Sequence, residues 1–391
     1  MDPSALTELV RKVALENGLS HIGIAAAAPI VGHEAFLAWL ANGYAGEMSY
    51  LARDAEPRRD PRLLLPSARS VIVAALSYAH PDGAPDGSYV PAERLRVGPR
   101  GTIARYARGA DYHHVLKERL RHTGNALEAQ LGQPIRRLVC VDTAPLLERE
   151  LAAQAGLGFL AKSAMMIAPG LGSYLSLGAL LVDVELAPGA PIAPRCGSCT
   201  ACLVACPTGA FVSDGVIDAR RCIAYLTIEN RGPIPRALRP AIGARIFGCD
   251  ICQEVCPFNA AVGDDAKRPR PGDAELAPRP GHSHPALVPL LRIGAAQFRK
   301  WQQRSALRRI HRNELLRNVA VALGNVGGEE SVSALGEALG EPSPLVRAHV
   351  VWALGAIAQR VPAARVAVNE HLARQRAIEL DETVKEELAL V

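Results

Sequence analysis

The chain has 391 residues, 49% of them hydrophobic, 21% charged and 4% aromatic. That apolar content fills packed cores and excludes wholesale disorder, and the length predicts two or three domains. A net charge of +5 permits an anionic partner without demanding one.

The first predicted element is a helix over 4–17, with Ser4 as N-cap and Leu6, Leu9, Val10 and Val13 on one face. This start lacks the apolar core of a signal peptide. No apolar run reaches the roughly 18 residues of a membrane span, so a cytoplasmic protein is expected. SHIGIAAAAP reads as a strand, 33–42 as a short helix, and Ser70 to Tyr78 as a buried strand after an arginine-rich loop. Residues 81–101, rich in Pro, Gly and Asp, form a long loop. A helix follows over Tyr112 to Leu131, and the strand RRLVCVD ends at Asp142. Pro145 is expected to open the next helix at a favoured first-turn position. A glycine-rich loop and two more strands then carry the chain to Pro188, which predicts an α+β or α/β domain on a mixed sheet.

The stretch Cys196 to Pro257 carries eight cysteines. CGSCTACLVACP sets Cys196, Cys199, Cys202 and Cys206 at C-x2-C-x2-C-x3-C-P spacing; Cys222 stands alone; GCDICQEVCP supplies Cys249, Cys252 and Cys256. This is the spacing of a ferredoxin-like domain with two [4Fe–4S] clusters, in which the cysteine before each proline serves the other cluster. One cluster is then expected on Cys196, Cys199, Cys202 and Cys256, and the second on Cys206, Cys222, Cys249 and Cys252. Structural zinc has no use for a third cysteine at that interval, and disulfides do not suit such pairs in an intracellular chain. Beyond the cysteines, 263–285 reads as a proline-rich linker. From 286 the pattern is helical, and LLRNVAVALGNVG and LVRAHVVWALGAIA superpose on Leu323-Gly324 and Leu354-Gly355, the mark of HEAT-like repeats.

Other residues could carry chemistry. Asp142, at the end of a strand, stands where open sheets place ligand chemistry, or else it caps the next helix. As a proton donor it needs its pKa lifted from about 3.9 by burial or a neighbouring anion. AGLGFLA matches G-x-G-x-x-A but follows a helix, which argues against a dinucleotide and for glycines that make turns or admit a large ligand. Lys162 is the charged group of that loop, or a plain surface lysine. Lys300, Arg304, Arg308 and Arg312 recur every four residues in an acid-free segment, predicting a cationic stripe along one helix that suits a phosphate backbone. His113 and His114 have no partner at metal-ligand spacing and read as surface or packing residues.

RRDPRLLLPSARSVIVAAL, GTIARYARGADYHHVL, VDTAPLLERELAAQAGLGFLAKSAMMI and IGARIFGCDICQEVCPFN resemble the epoxyqueuosine reductases, cobalamin-dependent iron–sulfur enzymes that complete queuosine in the tRNA anticodon. Reductive dehalogenases are more distant relatives. The resemblance implies a cobalamin-binding catalytic domain over 1–188, a bis-[4Fe–4S] domain over 189–262, a linker over 263–285 and helical repeats over 286–391. It also implies electron flow from the clusters to cobalamin, with Asp142 as proton donor and Arg58, Arg105, Asp142, Lys162, Ser173 and Tyr225 around the cofactor. DYHHVL lacks the glycine of the D-x-H-x-x-G cobalamin signature, which points to cobalt with an open lower face. A tRNA substrate, an external electron donor and a monomeric state are expected. The competing readings are an electron-transfer protein, a tRNA-binding iron–sulfur scaffold and a dehalogenase-like reductase of a small molecule. A large preceding domain holding Asp142 exceeds what an electron carrier needs.

Overall fold

The computed structural model describes residues 2–80, 98–259 and 272–391. Most of the expected 81–101 loop and the first part of the expected linker lie outside the described residues. In chain order the strands are β1 (His21–Ala26), β2 (Ser70–Ser77), β3 (Thr102–Ile103), β4 (Arg137–Cys140), β5 (Phe159–Leu160), β6 (Met166–Ile167), β7 (Leu175–Val182), β8 (Phe211–Ser213), β9 (Val216–Ile217) and β10 (Arg245–Phe247). Contacts group the chain into two compact units, one of 1–80, 110–219 and 251–277, the other of 81–109, 220–250 and 278–391.

The first unit is built on a four-stranded sheet in the order β1-β2-β7-β4. β2, SVIVAALS, is buried along its whole length and takes a central place, pairing with β7 from Ser70↔Val182 to Ser77↔Leu175. All three pairings are antiparallel, so the expected α+β character holds while the sheet itself is not mixed. Antiparallel neighbours need no helical crossover between them, which is why helices and strands alternate here without a doubly wound sheet. The helix Pro3–Glu16 starts one residue earlier than the sequence suggests. Asp2, not Ser4, is its N-cap, because Pro3 suits the first turn and the Asp2 carboxylate accepts from the Ser4 N–H at 3.1 Å. The helix Tyr112–Leu131 is capped by Asp111 and closed by Gly132 in the left-handed region at φ 66°. Val71, Val73, Leu146, Leu151, Leu157 and Leu181 form the core beneath the sheet.

The second unit combines the short parallel pair β3–β10 with helices that include Arg312–Val326, Val332–Ala338, Pro344–Arg360, Arg365–Ile378 and Glu382–Ala389. The repeated Ala-Leu-Gly triplets mark where two of these helices touch. A Cβ on Gly324 would lie 2.6 Å from the Trp352 ring, so the glycine lets Arg312–Val326 approach Pro344–Arg360 closely. Among the described residues no helix is long and apolar enough to cross a membrane.

Candidate active site and iron–sulfur ligands

Asp142 stands two residues past β4, with φ at +56°, a conformation an aspartate tolerates better than most side chains. It does not cap a helix. Residues 143–146 close tight turns through Thr143 N–H to the Val141 carbonyl and Leu146 N–H to the Ala144 carbonyl, and the next helix begins only at Glu148. Pro145 therefore sits in this turn and not at a helix start. The Asp142 N–H donates to Glu148 Oε1 at 2.8 Å, which pins the loop. The Asp142 carboxylate accepts from His113 Nε2 at 3.1 Å, and His113 Nδ1 lies 2.7 Å from Asp111 Oδ1. With a proton on each nitrogen, His113 bridges two carboxylates. The Tyr112 ring stacks on it at 4.1 Å between centroids.

Burial alone would lower the His113 pKa, but the hydrogen bonds to Asp111 and Asp142 and their charges overcome it and raise it to about 9. Glu148 is pushed up to about 7, first by burial and then by the charge of Asp142. The Asp142 side chain itself is 40% exposed. His113 is thus the residue that sequence reasoning missed. Its only local signal was Asp111 two positions earlier, which serves as both helix cap and histidine partner.

The raised His113 pKa stabilises the fold. That contribution is full below the unfolded value near 6.5 and is lost as pH rises through about 9. With the His113 side chain only 15% exposed, the effect is on the order of 3 kcal/mol. His113→Gln should be less stable than wild type at pH 6, and the gap should close by pH 10 in urea titrations; a gap independent of pH would contradict the bridge.

Arg58 lies on the turn Glu56–Arg59, 8% exposed, with its guanidinium 5.8 Å from the Phe36 ring centre and donating to the Leu146 carbonyl at 2.9 Å. Its Nε is buried with no hydrogen-bond partner, a donor left over beside the Asp142–Glu148 loop. Lys162 and Ser173 are engaged elsewhere. Lys162 pairs with Asp214 at 3.3 Å, and the Ser173 hydroxyl donates to Gln253 at 3.0 Å and accepts from Asn259 at 2.8 Å. Arg105 and Tyr225 belong to the second unit, where the Arg105 N–H donates to Asp250 at 2.7 Å and Tyr225 is buried on the helix Ile223–Ile228. The glycines of AGLGFLA serve packing: Gly158 faces the Ile167 backbone and Gly156, at φ 74°, faces the Ala190 carbonyl.

None of the nine cysteines forms a disulfide. Cys196 and Cys256 pack against the small apolar cluster of Phe159, Ala161 and Ile167, beside Ile192 and Phe258. Burial raises the Cys202 and Cys256 thiols, and neighbouring cysteines add to it: Cys196 and Cys256 around Cys202, Cys196 and Cys199 around Cys256. The fold therefore brings Cys256 to the Cys196–Cys202 loop, from the far end of the motif. Clustered thiolates repel one another unless iron binds them, so the donor set fits a cubane. Among the described residues no group of three His, Cys, Asp or Glu closes on a single metal ion; cubane ligands each hold a different iron.

The expected cationic stripe breaks. Lys300 ends up on the helix Ala295–Trp301, Arg304 sits at φ +56° in the following bend, Arg308 lies on the turn Ala306–Arg309, and Arg312 opens the helix Arg312–Val326. Ser305, wholly buried, forces the break: its hydroxyl caps Leu307 N–H and donates to the Ala107 carbonyl at 2.9 Å. Arg312 is held in two bonds by Glu341, at 2.8 and 2.6 Å. The bend instead gathers Arg299, Lys300, Gln302, Gln303, Arg304 and Arg308 around a cleft of about 550 Å³ with no acidic lining residue.

Residues 195–259 match a 4Fe–4S double cluster binding domain, and 304–388 match HEAT repeats. With the carboxylate–histidine site in the first unit, these define an iron–sulfur oxidoreductase with a helical-repeat tail. Residues 58–143 match the epoxyqueuosine reductase QueG model. Epoxyqueuosine reductase of Salmonella typhimurium is 38% identical over 90% of this chain and 89% of its own, and that of Alicycliphilus denitrificans is 40% identical over 90% and 98%. A crystal structure of selenomethionine-labelled epoxyqueuosine reductase superposes with TM-score 0.85 at 32% identity, covering 98% of this chain and 97% of that one. Another, of epoxyqueuosine reductase with an epoxyqueuosine-modified tRNA-Tyr stem loop, superposes with TM-score 0.84 at 33% identity over the same shares. The chain belongs to the epoxyqueuosine reductase family.

Proposed function

We propose that the protein reduces the epoxide of epoxyqueuosine at the wobble position of the tRNA anticodon to queuosine, the last step of that synthesis, in the cytoplasm and as a monomer. The observation that carries this reading is the open Asp142 carboxylate hydrogen-bonded to a protonated His113, in a chain that matches epoxyqueuosine reductases over nine-tenths of its length. Turning an epoxide into an alkene and water takes two electrons and two protons. Side chains here can supply only the protons. The electrons come from an external donor through two [4Fe–4S] clusters, on Cys196, Cys199, Cys202 and Cys256 and on Cys206, Cys222, Cys249 and Cys252.

Cobalamin, when bound, supplies the two-electron reduction of the epoxide carbon. Of the residues assigned to hold it, Arg58 has the strongest support, because its unpartnered Nε suits a polar edge of a large ligand. Lys162 and Ser173 have the weakest support, being tied to Asp214, Gln253 and Asn259. Asp142 faces solvent and delivers a proton to the departing oxygen. That proton comes from His113 Nε2, Asp111 holds the imidazole by Nδ1, and Glu148 fixes the loop through the Asp142 N–H.

The cleft around Lys300, Arg304 and Arg308 suits tRNA phosphates. Replacing Arg304 or Arg308 by Ala should weaken tRNA binding and reduce the slope of log K against log salt by about one each, whereas Arg312→Ala should leave the slope unchanged, since Glu341 already holds that side chain. Equal effects at all three positions would restore the single stripe. The function is tested in cells lacking their own epoxyqueuosine reductase: expression of this chain should restore queuosine in bulk tRNA, and persisting epoxyqueuosine would refute it.

A further inference from the structure

The helix Arg312–Val326 carries two adjacent, wholly buried polar side chains, Arg317 and Asn318. Burying a guanidinium and an amide is unfavourable unless both are hydrogen-bonded, and an apolar pair would pack a repeat helix without that demand. The bonds they make converge on one segment. Arg317 donates to the carbonyls of Leu226, Asn230 and Gly232 at 2.8, 2.8 and 2.6 Å. Asn318 donates to the carbonyls of Thr227 and Ile246 at 2.8 and 2.9 Å, and its Oδ1 accepts from Arg317 Nε at 3.0 Å. Leu226 and Thr227 lie on the helix Ile223–Ile228, which begins directly after Cys222; Ile246 lies on β10, which ends two residues before Cys249. The Thr227 hydroxyl completes the brace, accepting from the Gly248 N–H at 2.9 Å and donating to the Ile223 carbonyl at 2.7 Å. Gly248, at φ 68°, packs so closely on Ala104 that a Cβ would fall 2.6 Å from the alanine methyl.

We propose that Arg317 and Asn318 are positioning residues for an iron–sulfur cluster: the first long repeat helix fixes the backbone on which Cys222 and Cys249 are presented to iron. The inference rests on the reading that these two cysteines ligate the same cluster. It gives the helical repeats a second task besides nucleic acid, since Asn318 binds the carbonyls of both elements that flank the ligands.

The test uses the full chain, reconstituted anaerobically with iron and sulfide, as wild type, Asn318→Ala and Arg317→Met. Iron and sulfide are assayed chemically and the dithionite-reduced clusters are recorded by EPR. In each variant that retains wild-type helix content, one cluster signal should be lost or shifted while the other is unchanged, with iron falling by up to about half. Adding Cys222→Ser to Asn318→Ala should cost no further cluster. Two unaltered signals, or equal loss of both, overturn the proposal. Asn318→Ala removes two carbonyl bonds and no charge, so it decides the matter should Arg317→Met not fold. A wild-type protein that holds one cluster only would overturn the ligand reading of Cys222 and Cys249 itself.

Discussion

Asp142→Asn is expected to lower turnover by about two to four orders of magnitude while leaving tRNA affinity and iron content at wild-type values, because it removes a proton and not a binding surface. The amide is nearly isosteric, can still accept from His113 Nε2, and keeps the backbone N–H that Glu148 holds at 2.8 Å. A fall in turnover with both tRNA and cobalamin binding intact therefore isolates proton transfer. The pH profile supplies a second signature. On the proposed relay, the proton that Asp142 passes on comes from His113, whose pKa is raised to about 9, so wild-type turnover should fall as pH rises through about 9. His113→Gln should show reduced turnover without that descending limb. An active Asp142→Asn enzyme would remove the proton-donor role while leaving the family assignment in place.

Cys256→Ser should cost the enzyme one cluster, about half its iron, and all electron flow to the epoxide. Which cluster is lost tests the crossed ligation. Cys256 lies in sequence beside Cys249 and Cys252, yet its thiol shares surroundings with Cys196 and Cys199 and packs with Cys196 beside Phe258. If Cys256 completes the set of Cys196, Cys199 and Cys202, then Cys199→Ser and Cys256→Ser damage the same centre, and the double variant retains one intact cluster. Sequence-local ligation predicts that the double variant loses both. Iron content and the EPR spectrum of the reduced protein decide between the two.

These cases show what the sequence carries and what it does not. Candidate cubane ligands stand out in the sequence because Cys196, Cys199 and Cys202 fall on one tight loop and Cys249 and Cys252 on another, where spacing is geometry. The position of Asp142 was legible because a strand ends two residues before it. Its partner was not: His113 reaches it from another element, and a contact 29 residues apart leaves no periodicity to read. The cationic stripe failed for the opposite reason. A four-residue interval implies one face only while the helix continues, and buried Ser305 with the left-handed Arg304 ends it. The repeat helices were legible from their Ala-Leu-Gly triplets, since Gly324 is required where Trp352 presses against it. The order of the antiparallel sheet was not, because an apolar strand such as β2 reads the same whichever direction its neighbours run.

The central claim is that this chain carries out epoxide reduction at a tRNA nucleoside with electrons passed through its clusters to cobalamin. The most direct test is anaerobic incubation of the reconstituted protein with cobalamin, a strong reductant and epoxyqueuosine-containing tRNA, followed by nucleoside mass analysis. Queuosine should form at the expense of epoxyqueuosine, and only when cobalamin, clusters and reductant are all present. Unchanged epoxyqueuosine in the complete mixture, with both clusters verified, would contradict the claim.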